Sequence, residues 1–159
     1  MQNGQTLTHP SHLIKRFFGY LVAQPLTVEE RAEVAGLLPT SLATLFFRMQ
    51  PQDQRHSYDV YLRSGGAQLT QAALLHDVGK SVSKIGPISR SLATFSQAVN
   101  LRVHGDWRLY LDHGRIGADL LEQSGADTLA VAFTRHHPGP APTGINPSDW
   151  HTLADADEA

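Results

Sequence analysis

Apolar residues recur along this chain at three- and four-residue intervals, and no segment shows the strict alternation of a half-buried strand. Residues 11–23 (SHLIKRFFGYLVA) read as a first amphipathic helix, stopped before Pro25. Thr27-Val28-Glu29-Glu30 has the form of a capping box, Thr27 as N-cap and Glu30 at the third helical position, and predicts a helix to about Leu38. Pro39 opens a shorter helix with Leu42, Leu45 and Phe46 on one face, ending near Pro51. Asp53 is the expected N-cap of the next helix, which carries His56, Tyr58 and Leu62 and closes at Gly65-Gly66.

The second half of the pattern turns histidines inward. Leu69, Ala72, Ala73 and His76 fall at i, i+3, i+4 and i+7 and share one buried stripe. A looser stretch follows to Pro87, then a helix near 89–103. His113 lies on one face with Ile116, Gly117, Leu120 and Leu121, in a helix ending near Gly125. Asp127 caps the following helix, where Leu129, Ala132, Phe133 and His136 form the expected inner face. The Pro/Gly-rich segment 137–147 reads as a surface loop, and Asp149 as the cap of a last helix. The expected fold is therefore all-α. Residues 1–10 read as a disordered end and 11–159 as one helical domain, with no internal repeat and no linker.

Composition narrows the chemistry. At 159 residues and 41% hydrophobic, the chain can bury a core unaided. It has no cysteine, so disulfides, thiolate metal sites and cysteine nucleophiles are excluded, and any metal must be held by nitrogen and oxygen. The net charge of -2, without a long basic block, argues against binding to long nucleic acid but leaves a small phosphorylated ligand open. No apolar run approaches membrane-spanning length, which predicts a soluble, cytoplasmic protein. Nine histidines are many for this length, and their placement decides their meaning.

The pair His76-Asp77, followed by Val78-Gly79-Lys80, is the candidate centre. An imidazole and a carboxylate from adjacent residues both reach one ion if the helix ends there, and the two oxygens of an Asp can bridge two ions. Gly79 is expected to permit the turn, and Lys80 to set a cation beside a bound phosphate. In the last helix Trp150, Leu153, Ala154 and Asp157 share a face, which favours Asp157 over Asp155 as an inward carboxylate, with Asp155 the alternative.

The segment AALLHDVGK (72–80) resembles the HDIG-type members of the HD superfamily of metal-dependent phosphohydrolases, whose pattern is a His, a His-Asp pair and a distal Asp. The upstream His falls on His56, within Arg55-His56-Ser57; the distal Asp falls in Ala-Asp at Asp155 or Asp157. In two-metal branches a further His precedes Ile-Gly, supplied here by His113 in HGRIG, and another His or His-His pair ends the next helix, here His136-His137. The resemblance runs from about His56 to the end and implies an HD core over about 53–159 with added N-terminal helices.

The resemblance implies one or two divalent ions among Mn, Fe, Ni, Co and Mg. His56, His76, Asp77 and the distal Asp would hold the first. His113 and His136, with Asp77 bridging, would hold the second, and His137 is an open candidate beside them. The implied reaction is hydrolysis of a phosphate ester or anhydride by metal-activated water, with Asp77 and Lys80 in the catalytic roles. The Gly-Tyr-Pro motif of the cyclic-dinucleotide phosphodiesterases is absent, since PGPAP follows His137. The size resembles that of small nucleotidases and dinucleoside-polyphosphate hydrolases. The competing expectation is a metal- or nucleotide-binding sensor that keeps the fold without turnover.

Overall fold

The capping box at Thr27 is formed in full. Thr27 N donates to Glu30 Oε2 at 2.7 Å and Glu30 N donates to Thr27 Oγ1 at 3.2 Å. It opens α1 (Val28–Leu37) in a computed structural model that describes residues 24–82 and 112–159. The helices expected over 11–23 and 89–103, and His9, His12, His104, Trp107 and Tyr110, lie outside the described residues. Helix α2 (Thr40–Phe47) follows, then α3 (Pro51–Ser64), a 3-10 turn (Ala67–Leu69), α4 (Thr70–Leu75) and a second 3-10 turn (Val78–Val82). The chain resumes with α5 (His113–Gln123), α6 (Thr128–His136) and α7 (Pro147–Glu158). The fold is all-helical, with no strand among the described residues.

Two helix starts differ from expectation for one reason. Asp53 and Asp149 are not N-caps; each sits in the first turn, because Pro51 and Pro147 occupy the opening helical position. Proline has no N–H to leave unpaired there and its φ is already helical, so each helix starts three residues earlier than an Asp cap would place it. Asn146 caps α7 instead, accepting from Ser148 N at 2.9 Å. Asp127 caps α6 as expected, accepting from Ala130 N at 2.7 Å. Gly65 ends α3 with φ 68°, a left-handed conformation that a side chain would disfavour.

Helix α4 is the centre of the bundle. Ala72, Ala73, Leu74 and Leu75 are fully buried, because α3 packs on one side and α6 on another while α2 also touches it. Phe46, Val60, Leu121, Phe133, Trp150 and Leu153 complete the core around it. A helix only six residues long would be unstable alone, so this one exists through burial on all faces. Its early end is what places the following residues.

Gly79 holds the chain after α4 against α5. A Cβ at Gly79 would collide with the His113 carbonyl, and a Cβ at Gly117 would lie 2.9 Å from Gly79 N and 2.9 Å from Thr134 Cγ2. Gly79 was expected to serve a turn; its φ is not left-handed, and the requirement is instead close approach of two backbones. Gly79→Ala is therefore expected to destabilise the protein by about 1–3 kcal/mol, as overpacking against an unyielding backbone does. Urea denaturation checks this, and an unchanged midpoint contradicts it.

Candidate metal centre

His56, His76, Asp77, His137 and Asp157 meet at one point, delivered by four elements. His56 comes from the middle of α3, and His76-Asp77 from the turn that ends α4. His137 is the C-cap of α6, and Asp157 lies in the last turn of α7. The helical hydrogen bonds of α4 stop with His76 N on Ala72 O, and a 3-10 turn begins at Val78. That break lets two adjacent side chains face the same space, which a continuing helix would turn about 100° apart.

One ligand atom each from His56, His76 and Asp77 lies within 4.8 Å of the others, a group able to hold a metal ion. His76 and Asp77 are buried, at 6% and 4% exposure, and His56 is partly so. The His76 ring is oriented by its own helix, Nδ1 lying 2.9 Å from the Ala73 carbonyl, which can only accept. Nδ1 therefore carries a proton and Nε2 faces the centre. There Nε2 is buried without a well-aligned hydrogen bond, 3.3 Å from Asp157 Oδ1 and 3.6 Å from Asp77 Oδ2. A tautomer set by a backbone carbonyl, with the other nitrogen turned into a carboxylate-lined space, is the usual state of a metal-ligating imidazole. The donor set thus fits a divalent ion.

Asp157 is surrounded by imidazoles. Its Oδ1 is 2.7 Å from His56 Nε2 and its Oδ2 is 3.0 Å from His137 Nε2. Burial raises its pKa, but hydrogen bonds from His137 and His56, with the His76 imidazole close by, outweigh this and hold the carboxyl far below the usual range. Asp77 is likewise held ionised against burial by the Lys80 ammonium and then by the charges of His76, His56 and His113. Lys80 Nζ sits 2.6 Å from Asp77 Oδ2. For His76, burial pushes the pKa down, yet Asp77 and Asp157 together raise it to about 9. In the metal-free chain a proton on His76 thus supplies positive charge between the two carboxylates.

The remaining candidates divide. His113, the first residue of α5, is half-buried, has its carbonyl against Gly79, and lies near enough for its charge to act on Asp77. His136, expected as an inward ligand, is exposed, and the inward histidine is His137. The reason is a rotation of the inner face by one residue: Ala130, Phe133 and Thr134 are the buried positions of α6, and His137 continues that face at i+7 from Ala130. Asp155 is exposed, whereas Asp157 follows the buried stripe of Trp150, Leu153 and Ala156.

Arg55, Arg115 and Arg135, whose guanidinium groups have the chemistry to grip a phosphate, are engaged by carboxylates. Arg55 binds Glu30 with both terminal nitrogens, and Arg115 and Arg135 bind Asp119. One contributor was not foreseen: Phe133 stacks on His137 with ring centroids 4.5 Å apart and meets His76 edge-on at 6.1 Å. The i, i+4 spacing of Phe133 and His137 was its available signal.

No family model matches the chain, and neither a curated protein nor a solved structure matches it. Among the described residues no helix is long and apolar enough to cross a membrane.

The raised pKa of His76 has a definite sign in stability. With chelator present, the stabilisation from its imidazolium is complete below pH 6.5, its ordinary value, and is lost as pH rises through about 9. The depressed carboxyl of Asp157 contributes above its ordinary 3.8 and is lost as pH falls below that. Urea unfolding in EDTA should show stability declining from pH 6.5 to 9; a flat profile there contradicts the assignment.

Proposed function

We propose that this protein is a metal-dependent phosphohydrolase acting on a phosphate ester or anhydride of a nucleotide or related small phosphorylated metabolite. The observation that carries the reading is the convergence of His56, His76 and Asp77 within metal-ligand distance, with the Asp157 carboxylate beside them. The resemblance of residues 72–80 to the HD superfamily supplies the reaction class, and membership of that superfamily is part of the proposal.

His56, His76, Asp77 and Asp157 would hold the ion. A bound divalent cation supplies Lewis acidity toward phosphoryl oxygens and activates water near neutral pH. The nitrogen and oxygen donor set accommodates Mn, Fe, Ni, Co or Mg. The Ala73 carbonyl keeps His76 in the ligating tautomer, and His137 orients Asp157 from the side of Oδ2. Lys80, partly exposed and paired to Asp77, is placed to exchange that carboxylate for a phosphoryl oxygen and so balance charge that develops in the transition state. His113, whose charge acts on Asp77, is the candidate ligand for a second ion.

One observation favours the alternative of a binding protein without turnover. Lys80 is already engaged by Asp77, and an ammonium that stayed there would be withheld from charge developing in a transition state.

Elemental analysis of purified protein should find a divalent transition metal, and EDTA should abolish cleavage in a panel of nucleotides and a generic phosphodiester. Metal-free protein that stays inert after loading with each of Mn, Fe, Ni, Co and Mg would overturn the reading. His76→Ala is expected to lose metal and activity together. Lys80→Ala should keep the metal while kcat drops roughly 100-fold, the scale of losing one electrostatic contact to a transition state. Activity equal to the parent in Lys80→Ala would remove Lys80 from the mechanism.

A further inference from the structure

We propose that Arg63 is a positioning residue for the distal carboxylate, clamping the last turn of α7 onto the same face of α3 that presents His56. This rests on the metal-centre reading above. His56 and Arg63 are seven residues apart on α3 and therefore share a face two turns apart, with the fully buried Val60 between them. His56 Nε2 meets the side chain of Asp157 at 2.7 Å. Arg63 Nε donates to the main-chain carbonyl of Ala156, the preceding residue, at 2.8 Å. One helix thus grips consecutive residues of another, once through a side chain and once through the backbone.

The two grips differ in what a metal does to them. In the metal-free chain the His56, His76 and His137 rings surround Asp157 and hold it by charge and hydrogen bonding. An imidazole that gives its Nε2 lone pair to an ion has no proton left on that nitrogen and ceases to donate to the carboxylate. A bound ion would therefore take the place of the His56 contact that orders Asp157 in the metal-free chain. The Arg63 bond goes to the backbone and uses no ligand atom, so it persists in both states. Arginine stays charged at any working pH, and a cation at the C-terminal turn of a helix also meets the favourable end of its dipole.

The test compares the 159-residue chain with Arg63→Ala and Arg63→Lys. Arg63 is exposed, and intact folding of each variant is verified by thermal melting in chelator. Mn binding is read by titration, following the resonance of the free ion. Arg63→Ala should bind Mn roughly tenfold more weakly at unchanged stoichiometry, as loss of an outer-sphere partner does. Arg63→Lys should recover part of that loss, since its ammonium also donates to a carbonyl. Amide exchange in the metal-free chain gives an independent readout: Arg63→Ala should speed exchange over 155–158 and leave α4 unchanged. Parent-like Mn affinity in Arg63→Ala overturns the proposal. If the parent itself binds none of the metals tested, the metal-centre reading fails, and unchanged exchange over 155–158 then overturns the clamp separately.

Discussion

The Asp157 carboxylate is the constraint on which the rest of this structure turns. It is a charged group largely withdrawn from water, and such a group is tolerated only when opposite charge and hydrogen bonds surround it. Here three imidazoles do so, from α3, from the end of α4 and from the end of α6. Each element must arrive at the right height and rotation for the carboxylate to be satisfied. Asp157 thereby ties α7 to α3 and α4, which lie far from it in sequence, and to the end of α6, the helix just before it.

Packing supports the same point from the apolar side. Phe133 lies between the rings of His137, His76 and Trp150, so two of the imidazoles rest on a side chain of the core. The core and the polar centre are consequently one body. On the same turn of α3 as His56, Arg55 joins Glu30 of the capping box to that helix and also takes the carbonyls of Gln24 and Pro25. Helix α1 and the segment before it are thus fastened by charge-assisted bonds to the helix that carries His56.

Much of this was legible in the order of residues because local rules dominate. The boundary at Thr27 follows from its capping box, the inward turn of His76 and the preference for Asp157 over Asp155 follow from helical periodicity, and the structure has each of them. What periodicity could not supply was phase at helix ends. His136 and His137 are neighbours, and which faces inward depends on where α6 stops and how it rotates on α4, which is a tertiary matter. The proline-opened helices misplaced Asp53 and Asp149 for a similar reason, since two competing start signals stood within three residues. Arg63 carries no motif, and its bond to Ala156 spans 93 positions, so nothing local announces it.

The contact between Gly79 and Gly117 bears on how such a centre can change over evolutionary time. Backbone meets backbone there, so the position of the Asp77–Lys80 segment is referenced to the main chain of α5 rather than to any side chain between them. Replacing residues around the centre can alter what enters it while the carboxylate and the ammonium stay where they are. The scaffold thus separates the frame that holds the charged groups from the side chains that line the space around them, and leaves the second free to diverge.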